Sequence, residues 1–253
     1  YLTMALIVTS LSKGEGPLRF NWRRLHIHVG KLKQIVRIGL PAGLQSLLFS
    51  ISNVLIQSAV NSFGSVMVAA SAAASNVEGF VGTTTNSYYN AAITFTGQSM
   101  GAEEYDRIDE VAKISAVFVF ATWILVGGVT IFFGRTLLGL YTSNLHVIEL
   151  GFQRLKITMA VYFSSGIMNV FPGLTRAMGF SVLPMLCTLI GACLFRIIWL
   201  ATVFSWYPTM TVLFLAYPVT WTLAGLGQVG VFFYARKKIG LIELESNLGL
   251  SSK

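Results

Sequence analysis

Long stretches without a charged residue alternate along the chain with short segments in which charges cluster. The uncharged stretches cover residues 38–77, 79–102, 114–134, 157–175, 177–195 and 197–235. An α-helix needs about 20 apolar residues to cross the hydrocarbon core of a bilayer, and each stretch approaches or exceeds that length. Strands of a membrane barrel would instead show short segments of alternating hydrophobicity. The pattern therefore predicts an integral membrane protein built from helices.

Turn-forming residues at 61–64, 179–181 and 206–208 divide the long stretches into six predicted helices. The helices are expected near residues 36–60, 66–98, 111–134, 154–178, 182–203 and 211–235. We therefore expect an all-α fold, with a six-helix transmembrane bundle over residues 36–238. Residues 1–12 are apolar but too short to span, and we expect them to be the end of a truncated preceding helix. Residues 13–35 form a basic connector, and residues 239–253 form a tail.

The charge balance supports a membrane location and predicts an orientation. The 253 residues are 54% hydrophobic and only 11% charged, yet the net charge is +8. Soluble domains carry about a quarter of their residues as charges, so a soluble enzyme and a nucleic-acid-binding module are both poor interpretations. Fourteen of the 18 basic residues lie on one side of the predicted helices, while Arg135, Arg154 and Lys156 lie on the other. The basic side, with the C-terminus, should be cytoplasmic and attract anionic lipid.

Polar side chains form a stripe on each of the first two predicted helices. On the first helix the stripe comprises Ser46, Ser50, Asn53, Gln57 and Asn61, with Gln45 at its margin. On the second it comprises Ser71, Ser75, Glu78, Gly82, Thr85, Tyr89 and Thr96. Amides without partners in hydrocarbon cost several kcal/mol each, so both stripes should face another helix or a hydrated passage. Hydrogen bonding between packed helices and the lining of a passage are both open interpretations.

Glu78 is the one acidic residue predicted to lie inside the membrane. A carboxylate at the bilayer centre costs at least about 2.5 kcal/mol, so Glu78 should handle an ion or substrate or pair with a base. Arg196, midway along the fifth predicted helix, is the expected partner. It could instead meet backbone carbonyls, an anionic substrate or a lipid group. Asn169 lies on the polar side of the fourth predicted helix.

Catalytic and metal-binding motifs are absent from the sequence. It contains no HExxH motif, no glycine-rich phosphate loop and no pair of carboxylates within the predicted helices. All three histidines fall in predicted connecting segments. We therefore expect neither an enzyme nor a protein with an organic cofactor or a metal site.

Several short motifs, taken in order, resemble one transporter family. They are Gly39-Leu40-Pro41 at the start of a helix, Gln45, Asn53, Asn61-Ser62-Phe63-Gly64, Phe95-Thr96-Gly97-Gln98-Ser99-Met100-Gly101-Ala102 and Tyr105-Asp106-Arg107. From about residue 33 to 238, the chain resembles the C-terminal half of a multidrug and toxic compound extrusion (MATE) transporter. The resemblance implies a twelve-helix protein of two six-helix lobes, joined by a cytoplasmic connector. Such a protein exports organic cations across the cell membrane by alternating access, driven by a proton or sodium gradient.

The resemblance also assigns expected partners and a passage. Residues 1–12 would end the sixth helix, residues 13–35 would form the connector, and the N-terminal lobe of the same protein would be the partner. The substrate would be a small organic cation, and membrane lipid would surround both lobes. The polar helix faces described above, and not a site of the family, suggest which side chains lie along the path of substrate or ion: Glu78, Gln45, Asn53, Gln57, Asn61, Tyr89, Asn169 and Arg196.

One departure from the family pattern concerns the coupling ion. Some family members carry acidic cation-binding residues where this chain has Phe49 and Ser165, and neither residue can bind a cation by charge. The site for H+ or Na+ is therefore expected in the other lobe. A flippase for a lipid-linked saccharide or a phospholipid is an alternative, but it should place several basic residues along its passage, and only Arg196 qualifies. A membrane scaffold without transport is a third interpretation.

Overall fold

The computed structural model describes residues 2–13 and 28–247, which are helical apart from short turns and contain no strand. The helices are α1 (Leu2–Lys13), α2 (Val29–Asn61), α3 (Ser65–Gly101), α4 (Asp106–Phe132), α5 (Gly134–Gly139), α6 (Leu145–Ala160), α7 (Tyr162–Ala177), α8 (Val182–Phe204) and α9 (Met210–Asn247). Most of the predicted connector and the end of the predicted tail lie outside the described residues. The chain divides into two units, Tyr1–Arg37 and Ile38–Lys253. The first contains α1 and the first residues of α2.

The all-α membrane fold is confirmed. The six predicted helices correspond to α2, α3, α4, the pair α6 and α7, α8, and α9. Four of them, α2, α4, α8 and α9, are long and apolar enough to cross a membrane, and a fifth span results if α6 and α7, bent by 54°, are counted as one. Helix α3 has 37 residues, but it is not apolar enough to be counted among these candidate spans. Its many serine, threonine and asparagine residues lower its mean hydropathy.

Two of the predicted turns contain a glycine that their backbone requires. Gly64 has φ 90° and Gly179 has φ 89°, a left-handed region that residues with a Cβ adopt at an energetic cost. Gly64 separates α2 from α3, and Gly179 separates α7 from α8. The third predicted turn falls in the break between α8 and α9.

Three helix boundaries differ from the predicted ones in the same way. Helix α2 begins at Val29 rather than near residue 36, α6 begins at Leu145 rather than near residue 154, and α9 continues to Asn247. The predicted helices ended where charges began, whereas a helix continues as long as its backbone groups are bonded and its residues favour it. At α6 the start is set by Asn144, whose side chain accepts hydrogen bonds from the backbone N–H groups of His146 and Val147.

Helix α7 lies at the centre of the second unit. It contacts α3, α4, α8 and α9, and most of its residues are buried. Glycine allows the closest helix approach nearby, between α8 and α9: a Cβ on Gly191 would lie only 2.9 Å from the Cα of Ala224. Small residues of this kind allow membrane helices to pack backbone against backbone.

Candidate functional site

A polar cavity of about 360 Å³ opens among five helices of the second unit. Its lining residues are Phe49, Asn53 and Gln57 of α2, Ser75 of α3, Arg154 of α6, Ser165, Met168 and Asn169 of α7, and Tyr217 and Trp221 of α9. Three predicted passage residues, Asn53, Gln57 and Asn169, are thus brought to one wall. Phe49 and Ser165, two neutral residues, line the same cavity. No lining residue within the described part of the chain is a carboxylate.

Arg154 is the charged residue of this wall, and it pairs with Glu78. Its Nη2 donates to Glu78 Oε2 at 2.9 Å, and the Thr158 hydroxyl donates to Glu78 Oε1 at 2.8 Å. Its Nη1 donates to the Ser71 carbonyl oxygen at 2.9 Å and also to the Ser71 hydroxyl. The side chains of Arg154 and Glu78 are only 6% and 13% exposed. The expected pairing of Glu78 with Arg196 was therefore wrong.

The sequence-based prediction missed Arg154 because it placed this residue at the outer end of a helix. Helix α6 begins nine residues earlier, so Arg154 lies about 14 Å along it, at 1.5 Å per residue. The signal that could have located it is Asn144, a favoured N-cap residue immediately before an apolar segment. With that start, Arg154 would have been placed inside the bundle.

Arg196 lies behind the cavity wall and is fully buried. Its Nη1 donates to Asn53 Oδ1 at 2.7 Å, and its Nη2 donates to the Thr220 hydroxyl at 3.4 Å. Its guanidinium carbon lies 4.8 Å from the ring centre of Tyr217 and 5.4 Å from that of Phe49. Among the described residues, no carboxylate forms an ion pair with it. Neutral oxygens and aromatic faces therefore solvate this cation.

The other predicted site residues lie in two separate places. Arg176 of α7 donates to the Tyr89 hydroxyl at 2.8 Å and to Gln45 Oε1, and Gln45 Nε2 donates to the Thr188 hydroxyl at 2.9 Å. Gln45 and Tyr89 therefore belong to a cluster that joins α2, α3, α7 and α8, and they do not line the cavity. Asn61, at the exposed end of α2, accepts a hydrogen bond of 3.0 Å from Gln57.

Comparison with known protein families identifies the family of this chain. The family model described as MatE matches residues 41–202, which is more than half of the chain. The chain belongs to the MatE family. This membership confirms the family suggested by the sequence motifs, and the MatE match covers α3 to α7, most of α2 and nearly all of α8.

Individual relatives show how much of a MatE protein this chain represents. "Probable multidrug resistance protein YoeA" of Bacillus subtilis (strain 168) is 26% identical in a match that covers 93% of this chain and 52% of the relative. The crystal structure of the Vibrio cholerae MATE transporter VcmN in its bent form superposes with a TM-score of 0.82 at 23% identity, over 95% of this chain and 54% of that one. A crystal structure of a MATE in complex with MaL6 gives 0.82 at 15% identity, over 96% and 54%. The chain therefore spans about half the length of these relatives.

Proposed function

We propose that this chain is the C-terminal half of a secondary-active exporter that moves small organic compounds out of the cell by alternating access. Membership in the MatE family and the relative named as a multidrug resistance protein support the proposal. The observation that carries it is the cavity of about 360 Å³, whose wall holds amide and hydroxyl groups between membrane-length helices. Polar groups inside a membrane domain are costly unless they are bonded or hydrated, and a passage hydrates them.

Transport by the full-length protein in inside-out vesicles tests this function. We expect vesicles energised by a proton or a sodium gradient to accumulate norfloxacin, and the uptake to collapse with the matching ionophore. Asn169→Ala should lower the initial rate, whereas Asn90→Ala, an exposed position of α3 outside the cavity lining, should not. Absence of accumulation under both gradients would favour a membrane scaffold without transport.

The coupling ion, H+ or Na+, is proposed to bind in the N-terminal lobe of the full-length protein. The cavity of this chain presents Phe49 and Ser165 at the positions where a carboxylate would be required, and the described lining contains no acid. The amide and hydroxyl oxygens of the lining are neutral, and Arg154 adds a positive charge, so this cavity is a poor site for Na+ or H+. No organic cofactor is proposed.

The predicted passage residues take different roles in this proposal. Asn53, Gln57 and Asn169 contact the passing compound, because they line the cavity. Glu78 acts indirectly: both of its oxygens accept hydrogen bonds, one from Arg154 and one from Thr158, so it positions the guanidinium that faces the cavity. The remaining predicted residues hold the helices and the lining side chains in place. Arg196 orients Asn53, and Asn61 orients Gln57. Through their bonds to Arg176, Gln45 and Tyr89 attach α2 and α3 to α7.

A flippase for a lipid-linked saccharide or a phospholipid is a second candidate, favoured by one specific observation. Arg154 lines the cavity and Arg196 lies directly behind Asn53, so two guanidinium groups border the passage where the sequence indicated one. Guanidinium groups bind phosphate oxygens through charge-assisted hydrogen bonds. Proteoliposomes of the full-length protein with fluorescent phospholipid, quenched by dithionite, test this function. Flipping faster than in protein-free liposomes would support it, and an unchanged rate would exclude it for that lipid.

The proposed location is the cell membrane, with multiple spans and a cytoplasmic C-terminus. The basic segment of α9 that contains Arg236, Lys237 and Lys238 supports this orientation. Arg236 additionally binds Asp106 and Asp109, both at 3.2 Å, so the start of α4 lies beside this basic segment.

A further inference from the structure

The charges around the cavity do not balance. Arg154 and Arg196 both contact the ring of Tyr217, at 5.7 Å and 4.8 Å from its centre. The one carboxylate paired with either of them among the described residues is Glu78, which offsets Arg154. One positive charge therefore remains in a site where both guanidinium groups are almost completely buried. The uncompensated charge is that of Arg196, which lies behind the wall and gives the cavity a positive potential that favours an anion over a cation.

Hydrogen-bond donors add to the positive charge. Arg196 can only donate, so it must bond the oxygen of the Asn53 amide, which leaves the Asn53 NH₂ group to donate elsewhere. Four other groups of the lining can donate and have no hydrogen-bond partner among the described residues: the hydroxyls of Ser75, Ser165 and Tyr217 and the indole N–H of Trp221. The buried Nε–H groups of Arg154 and Arg196 also lack a partner within that part of the chain. The acceptors beside these donors are two amide oxygens, Gln57 Oε1 and Asn169 Oδ1, because the NH₂ groups of both residues already donate to Asn61 and to the Ser165 carbonyl. The free donors of the wall therefore outnumber its free amide oxygens.

The same cavity is poorly suited to an isolated organic cation. A cation would require a carboxylate, and no lining residue in the described part of the chain provides one. It could otherwise stack on an aromatic face, but guanidinium groups already lie over Tyr217 and Phe49, which leaves Trp221 as the third ring of the lining. Repulsion from Arg154 would add to this disadvantage.

We propose that the cavity of this lobe binds an anionic group, a carboxylate or a phosphate, of the transported compound. This inference rests on the proposed function and deepens it by assigning a substrate class to the site. A zwitterion satisfies it as well as an anion, because an amine of the same compound can extend beyond this lobe. Arg154 is the charged contact, and the Asn53 amide and the hydroxyls of the wall are the neutral contacts.

Norfloxacin and its methyl ester are suitable probes, because they differ only in the carboxylate. Binding is measured by isothermal titration with the full-length protein in nanodiscs of neutral phosphatidylcholine. We expect the wild type to bind the acid about tenfold more tightly than the ester, as a charge-assisted hydrogen bond of about 1.5 kcal/mol implies. Equal affinities for acid and ester would overturn the proposal.

Two variants separate the charge of Arg154 from its structural role. Glu78→Gln with Arg154→Gln removes the guanidinium that lines the cavity and leaves neither partner of the pair as an unpaired charge, while Arg196 is unchanged. The folded protein should therefore have a lower preference for the acid than the wild type. Glu78→Gln alone leaves Arg154 charged and should retain or increase the preference. If both variants lowered the preference equally, the pair would be structural and the proposal would be refuted.

A second set of nanodiscs distinguishes a soluble compound from a lipid as the source of the anion. If lipid phosphate enters the cavity, phosphatidylglycerol should weaken norfloxacin binding to the wild type about tenfold and leave the double variant unaffected. If only soluble compounds enter, the affinity should not depend on the lipid. Either result supports the anion site and assigns its ligand. The proposed function is tested separately by vesicle uptake: an acid preference without uptake would refute export but not the binding site.

Discussion

Removal of one partner from the Glu78–Arg154 pair should destabilise the protein at least as much as removal of both. The two side chains are 6% and 13% exposed, and Arg154 is held additionally by Ser71 and Glu78 by Thr158. A single substitution leaves the other charge buried without its partner, and such changes cost about 3 kcal/mol or more. We therefore expect Glu78→Gln and Arg154→Gln each to lower the free energy of unfolding by about 3 kcal/mol.

The free energy of unfolding of the double variant, Glu78→Gln with Arg154→Gln, decides whether the two side chains interact. With both charges gone, its main losses are the hydrogen bonds to Ser71, each contributing about 1 kcal/mol. The sum of the two single effects should therefore exceed the effect of the double variant by at least about 2 kcal/mol. Unfolding in mixed micelles of increasing SDS content measures all three variants and the wild type. Glu104→Gln in the exposed Glu104–Arg107 pair is the matched control, and it should change stability little.

An additive result would refute this reasoning. If the two single effects summed to the effect of the double variant within about 0.5 kcal/mol, the two side chains would not interact in the folded protein. The assignment of Glu78 to Arg154 would then fail, together with the neutral double variant designed for the binding experiment. A large coupling would also show that Glu78 keeps its charge for Arg154.

Three further predictions concern resistance, packing and orientation. In cells that express the full-length protein at equal levels, Glu78→Gln should lower drug resistance more than Glu103→Gln does, and equal effects would remove Glu78 from the mechanism. Gly191→Ala should destabilise the protein by about 1–3 kcal/mol, because the new Cβ would lie 2.9 Å from the Cα of Ala224; Gly97→Ala, with nothing within 4 Å, is the control in the same unfolding assay. Green fluorescent protein fused to the C-terminus should fluoresce and alkaline phosphatase fused there should be inactive, and the reverse pattern would place the C-terminus outside.

The positions of the helices could be predicted because the cost of burying a charge in the membrane applies to each helical segment by itself. A membrane helix must exclude charges over about 20 residues, and that requirement is visible in the sequence without tertiary information. The turns at Gly64 and Gly179 were predictable for a similar reason, since their positive φ angles favour one residue type. The same criterion misplaced the start of α6, because Arg154 and Lys156 interrupt an apolar segment without interrupting the helix.

The partners of the buried charges could not be predicted from the sequence. Glu78 has two candidate arginines, Arg154 and Arg196, both far away in sequence, and the choice depends on how α3, α6 and α8 are rotated about their axes. That rotation is set by packing, such as the contact of Tyr162 with the backbone of Glu78 across 3.4 Å, which no periodicity reveals. Three predicted residues share the cavity for a simpler reason: Asn53 and Gln57 are one turn apart on α2, and Asn169 lies on the polar side of α7.

The polar stripe on α2 links the fold of this chain to its proposed partner. Ser46, Ser50 and Gln57 are exposed in the structure, whereas Ser52, Ile56 and Val60 of the same helix are buried. Lipid cannot cover an exposed amide without a cost of several kcal/mol, so this face requires water or protein. In the proposed exporter, the N-terminal lobe faces it across a passage that is hydrated when open. Asn53 lies at the edge of that face and accepts a hydrogen bond from Arg196, which lies behind it. The neutral amide of Asn53 therefore lies between the positive charge of Arg196 and the passage.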